Sequence, residues 1–248
     1  EVIVPALTFI AAVNPVKYVN AEPIFMDCDD SLCMDMDKLE RFCVEECSLV
    51  NKILINKKTQ RPVKAVIVVH VFGNMANLEK LMPLARKYGL TVIEDATEAL
   101  GTYYTDGPFK GKYAGTIGDL GVYSFNGNKI ITTGGGGMLV AKDRDLLSKA
   151  KYLSTQAKDD QLYFIHHEIG YNYRMTNLQA AVGLAQLEQL EKFISTKRKN
   201  YELYRSAVMK LNGMRILPFR AEIRPNYWFY SLYLDHPAYR RDELIRYF

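Results

Sequence analysis

In its first part the chain alternates two hydrophobic rhythms. Residues 2–4, 23–26, 65–69, 91–94, 120–123 and 137–141 are short apolar runs, the pattern of strands. Residues 36–47, 78–88 and 144–153 space their apolar side chains three and four apart, which predicts helices that bury one face. Strands separated by helices predict an α/β fold with a mainly parallel sheet flanked by helices. From Asn177 the spacing stays helical through Leu178, Ala181, Leu184, Ala185, Leu187, Leu190, Phe193, Tyr201, Tyr204 and Val208 to Leu211, predicting one long helix that links two domains. The strand-like 226–234 run begins a smaller α+β domain, so the expected divisions are 1–176, 177–211 and 212–248.

Composition narrows this picture little. At 248 residues, 48% hydrophobic and 24% charged, the chain can bury a sizeable core and carries no signature of disorder. Its net charge of +4 is mild, and nothing in it resembles a nucleic-acid module. Lys52, Lys57, Lys58, Arg61 and Lys64 form a local basic concentration, which reads as a solvated connection between a helix and a strand or as an attractor for a diphosphate. Cys28, Cys33, Cys43 and Cys47 form no CxxC pair; Cys43 and Cys47 fit one helical face, and all four are expected as reduced thiols of a cytoplasmic protein. The apolar opening from Val2 to Val13 contains Pro5 and is too short for a bilayer, so no membrane partner is expected. A start at Glu1 inside a strand and an end at Tyr247-Phe248 inside an amphipathic pattern read as an excerpt of a longer chain.

The densest chemistry is Ser124-Phe125-Asn126-Gly127-Asn128-Lys129, followed by four glycines from Gly134 to Gly137. A lysine in a tight, glycine-flanked turn can approach a flat cofactor closely, and desolvation there lowers its pKa and frees the amine to form a Schiff base. Upstream, the 91–94 strand leads into Asp95, which delivers a carboxylate to the carboxyl edge of a parallel sheet, where ligands of open α/β folds bind. Pyridoxal phosphate needs both groups: an amine for its aldehyde, and an acid that keeps its ring nitrogen protonated. Singly, each has a plainer explanation as a solvated lysine, a capping Asp or an ordinary glycine turn.

Five blocks in order resemble one family, the DegT/DnrJ/EryC1/StrS nucleotide-sugar aminotransferases, which are pyridoxal-phosphate enzymes of fold type I. They are Val4-Pro5-Ala6-Leu7-Thr8-Phe9, Val69-His70-Val71-Phe72-Gly73, Glu94-Asp95-Ala96-Thr97-Glu98-Ala99, the Ser124 to Gly137 stretch, and Gly170-Tyr171-Asn172-Tyr173-Arg174-Met175-Thr176-Asn177-Leu178-Gln179-Ala180-Ala181. The wording around Lys129, with Leu153-Ser154-Thr155-Gln156-Ala157-Lys158 after it, is most similar to the branch of legionaminic-acid and bacillosamine-type pathways.

The resemblance implies that Lys129 holds pyridoxal 5′-phosphate and shuttles the proton, that Asp95 pairs with the pyridine nitrogen, and that Ser124 binds the phosphate. It implies Phe9 stacked on the ring, although core packing alone also explains a Phe there, and Glu98 near the phenolic oxygen with a carboxyl whose pKa is raised or whose contact runs through water. Asn172 is implied to reach the cofactor phosphate of the other subunit in a homodimer, and Thr8 and Asn126 to touch substrate. The implied reaction moves an amino group from glutamate to C4 of a nucleotide-linked 4-keto-6-deoxy sugar by a ping-pong course.

Glu98, Asn126 and Gly135 depart from the common Gln or His, His and Glu of the family. Relatives that act as sugar dehydratases replace the lysine with His, whereas Lys129 is intact; a non-catalytic binding or regulatory relative is the reading from another class. His166-His167-Glu168 is not expected to bind metal, because adjacent side chains on regular structure point apart. The Lys197-Arg198-Lys199 run is expected on a solvated face.

Overall fold

Six of the apolar runs join into one sheet in the computed structural model, which describes residues 1–160, 162–237 and 239–247. The strands are β1 (Val2–Pro5), β2 (Pro23–Met26), β3 (Ala65–Val69), β4 (Thr91–Asp95), β5 (Leu120–Ser124) and β6 (Gly137–Ala141). Their order across the sheet is β6-β5-β4-β3-β1-β2. Every neighbouring pair is parallel except β5 and the edge strand β6. The carboxyl ends of β1, β3, β4 and β5 therefore open onto one edge, the place where ligands of open α/β sheets bind.

Side-chain alternation along the strands supplies two cores. Ile3, Val66, Val68 and Val92 are fully buried against Met34, Leu39, Leu54, Leu78 and Leu81. Their strand neighbours Val4 and Ile67 turn to the other face and pack with Val13 and Val16. The Leu78–Tyr88 helix seats Leu78, Leu81, Leu84, Ala85 and Tyr88 in the larger core. Asn77 caps its start by accepting from Lys80 N at 3.1 Å, and Gly89 ends it at φ 66°, a left-handed conformation that suits glycine.

Three expectations about elements are corrected. The predicted 36–47 helix is α-helical only over Met36–Arg41; a π-helical turn, Phe42–Glu46, follows, and Cys47–Val50 is a strand paired with Ile53–Asn56. Asn51 and Lys52 both have positive φ (50° and 64°), which closes this hairpin tightly. Cys43 and Cys47 thus share the buried core but not a helical face, and all four cysteines are free thiols.

The long helix is two, Asn177–Leu187 and Leu190–Val208. The break at Glu188 and Gln189 lets the first helix accept Thr132 N on Gln186 Oε1 (3.4 Å) while the second presses Leu190 and Ile194 toward Gly101. The expected 226–234 strand is paired only over Leu232–Leu234, against Met214–Ile216. Before it, Asn226 Oδ1 accepts from Trp228 N (3.0 Å) and Tyr227 takes φ 55°, so the backbone turns instead of extending.

Candidate cofactor site at the carboxyl edge of the sheet

Lys129 sits in the loop that joins β5 to the antiparallel β6. Phe125 closes the neck of that loop: its N–H donates to Gly136 O (2.9 Å), and its carbonyl accepts from Thr133 N (3.0 Å). Within it, Lys129 N donates to Asn126 O at 3.0 Å, a tight turn that holds the lysine near the end of β5. Gly134 and Gly136 adopt φ 77° and 100°, conformations a side chain would strain. The loop puts Lys129 half-buried, and that burial lowers its pKa from the ordinary lysine value against the opposing pull of Glu98 and Asp95. A lysine, two carboxyls and a strand-end hydroxyl thus come from β4, its following turn, the end of β5 and the loop beyond it.

Asp95 is the last residue of β4 and half-buried. Its Oδ1 accepts from Thr97 N at 3.0 Å, so it does cap the following turn. Oδ2 takes no hydrogen bond from any described residue. Glu98 lies one turn on: burial raises its pKa, while Phe72 N, donating to Oε2 at 2.6 Å, and the charge of Lys129 oppose the rise. Phe72 itself takes φ 58°, which aims its N–H at that carboxylate. Ser124 ends β5 and accepts from Asn126 N at 3.3 Å, while Asn126 is exposed.

Thr8 and Phe9 follow β1 on the same edge. Phe9 is 74% exposed, so packing in the core does not account for it. Asn172 lines a cleft with Gly136, Gly137, Arg174 and Gln179, a lining that does not include Lys129, Asp95 or Glu98. The two histidines diverge, His166 Nδ1 lying 2.8 Å from Gln156 O and His167 Nδ1 2.9 Å from Asp159 Oδ2. Lys197 corrects the expected solvated face: its Nζ donates to Trp228 O at 3.1 Å.

Three contributors went unrecognised in the sequence. Asn226, fully buried, donates from Nδ2 to Glu98 O (2.9 Å) and Leu100 O (3.0 Å), fixing the turn that carries Glu98. His70 and Glu94 form a buried pair beneath Asp95. Trp228 is buried with Lys129 Nζ over its ring. Glu94 is a carboxylate placed inside a strand directly after the apolar Val92-Ile93 pair, and Trp228 is the single tryptophan; these were the available signals.

An α/β sheet of this order, with a lysine on the β5–β6 loop and an acid at the end of β4, is the large-domain fold of the sugar-aminotransferase class. The crystal structure of a DegT/DnrJ/EryC1/StrS aminotransferase from Brucella abortus superposes with a TM-score of 0.84 at 28% identity, covering 98% of this chain and 60% of that one. The chain belongs to the DegT/DnrJ/EryC1/StrS aminotransferase family, whose profile matches residues 1–248. It is 40% identical over 244 residues to the GDP-perosamine synthase of Escherichia coli, covering 98% of this chain and 61% of that protein. It is 37% identical over 249 residues to the GDP-perosamine synthase of Caulobacter vibrioides, covering 99% and 62% respectively. The chain therefore spans about three fifths of the length of these curated relatives. Among the described residues no helix is long and apolar enough to cross a membrane.

Proposed function

We propose that the protein is a pyridoxal-phosphate-dependent aminotransferase that moves an amino group from glutamate to C4 of a nucleotide-linked 4-keto-6-deoxy sugar. The observation that carries this reading is Lys129, half-buried in a glycine-flanked loop under the charges of Glu98 and Asp95, with its pKa lowered. The nucleotide-sugar half of the reading is supported by the similarity to GDP-perosamine synthases.

The residues fit the cofactor's chemistry. Pyridoxal phosphate, when bound, supplies an aldehyde that condenses with amines and a protonated ring that withdraws electrons. Lys129 would bind it and, once its amine is released, carry a proton to or from the reacting carbon of the substrate. Asp95, with Oδ2 uncommitted among the described residues, would hold the proton on the ring nitrogen through a charged hydrogen bond. Ser124 would donate to the phosphate, exposed Phe9 would stack on the ring, and Glu98 would lie by the phenolic oxygen. Thr8 and Asn126 would orient the sugar. Asn172, on the cleft that it lines, would serve the phosphate of a second subunit in a homodimer. In this reading residues 1–176 carry the cofactor, 177–211 link, and 212–248 begin the smaller domain.

The deciding experiment is the absorbance spectrum of the full-length protein with added pyridoxal phosphate, for wild type and Lys129→Ala. A visible band in wild type, absent from the variant and bleached by glutamate, supports the reading; an amino sugar, identified by mass after adding the keto sugar, separates transamination from dehydration. A wild type without the band would leave a non-catalytic binding relative.

A further inference from the structure

Lys129 has an aromatic partner that the proposed chemistry does not use. Its Nζ lies 4.5 Å from the centroid of the Trp228 ring. That ring is held from several directions. Nε1 donates to Asn128 O at 2.8 Å, the indole stacks on Phe229 at 3.7 Å and 16°, and the Trp228 carbonyl accepts from Lys197 Nζ. Trp228 N is fixed to Asn226 Oδ1, and Asn226 in turn is bonded to the backbone of Glu98 and Leu100. The acceptor for the indole N–H is the carbonyl of the residue before Lys129, so ring and amine share one frame with the turn that carries Glu98.

We propose that Trp228 is a positioning residue for Lys129, whose indole face docks the ammonium and confines it to the side of the site that holds Glu98 and Asp95. This rests on the reading of Lys129 as the cofactor lysine. An aromatic face attracts a cation through its quadrupole and has no comparable hold on a neutral amine. The amine is therefore parked while charged and released when it loses its proton. Lys197, bonded to the Trp228 carbonyl from the Leu190–Val208 helix, extends the frame to the linking helix.

The test uses full-length apoprotein, reductively methylated with ¹³C-formaldehyde, with the Lys129 resonance assigned by its loss in Lys129→Arg. In wild type that resonance should be displaced upfield by the indole ring current. The displacement should persist in Trp228→Phe and vanish in Trp228→Leu. On unmethylated protein, the rate at which added pyridoxal phosphate produces its lysine-dependent absorbance should fall about tenfold or more in Trp228→Leu, the scale expected when a reacting group is misplaced, with Trp228→Phe recovering most of the loss. An undisplaced wild-type resonance, or equal rates in wild type and Trp228→Leu, would overturn the inference. If Trp228→Leu does not fold, Lys197→Met decides: a smaller displacement and a slower rate support the proposal, and no change in either overturns it. A wild type that gains no absorbance removes the function reading and this inference together; equal rates in a wild type that does gain it remove this inference alone.

Discussion

His70 Nε2 lies 2.9 Å from Glu94 Oε2, and both side chains are fully buried. Nδ1 of His70 accepts from Ala76 N at 3.1 Å, so the ring proton sits on Nε2 and points at the carboxylate. Glu94 also accepts from the backbone N–H groups of Gly115, Ile117 and Gly118. Burial pushes the Glu94 carboxyl up, but the His70 bond and the backbone donors outweigh it and hold it below the ordinary carboxylate value. A buried anion with four donors thus ties β3 to β4 and to the 115–118 turn, one residue before Asp95.

Glu94→Gln should therefore destabilise the protein by about 1–3 kcal/mol, because the amide NH2 accepts nothing and leaves buried N–H donors without the carboxylate oxygen they now share. The sign with pH follows from the lowered value: the carboxylate's contribution is complete above the ordinary 4.5 and is lost as pH falls through the folded-state value. Urea unfolding across the acid range should show the wild type and the variant converging. A gap that stays constant there would mean that the charge of Glu94 contributes nothing.

Lys129→Met should behave oppositely. Because the folded state lowers the lysine's pKa below 10.5, the unfolded chain binds the extra proton, and wild-type stability from this group rises as pH climbs from the folded value toward 10.5. Apoprotein carrying Met is expected to melt higher than wild type at neutral pH, with the advantage shrinking on the alkaline side. Melting curves of the two apoproteins against pH measure it, and a variant that melts lower throughout would contradict it.

Thiol reactivity should be confined to one cysteine. Burial pushes Cys33 and Cys47 up to about 11 and Cys43 up to about 12, so their reactive thiolates are scarce as well as inaccessible. Cys28, also raised by burial but partly exposed, should react first. Mass mapping after iodoacetamide treatment of native protein should find the label at Cys28, and at the other three only after unfolding.

Two glycines with similar backbone should differ in their tolerance of alanine. Gly73 has φ +92°, and a Cβ there would come 1.9 Å from Asn226 Oδ1; Gly111 has φ +78° and nothing within 4 Å. Gly111→Ala should cost about 1–2 kcal/mol, the left-handed strain alone. Gly73→Ala should cost about 2–4 kcal/mol, because overpacking adds to that strain and displaces Asn226 from the Glu98 turn. Equal denaturation midpoints for the two variants would rule out the steric part.

The six sheet strands, the glycine loop that carries Lys129 and the strand-end position of Asp95 were legible in the sequence, because apolar runs and turn residues act over a few neighbouring positions. The break between Leu187 and Leu190 was not, since the helical spacing is continuous there and only the contacts of the two halves with Thr132 and Gly101 redirect the chain. Nor was the hold on Glu98 and Lys129: Asn226 reaches Glu98 O across 128 positions, and Trp228 reaches Asn128 O across 100. The sequence by itself determined which residues are the candidates for chemistry and the edge of the sheet they occupy, because strand periodicity and parallel pairing leave little choice. The tertiary structure alone decided what surrounds them, because hydrogen bonds and ring contacts between distant segments form only once the sheet has brought those segments together.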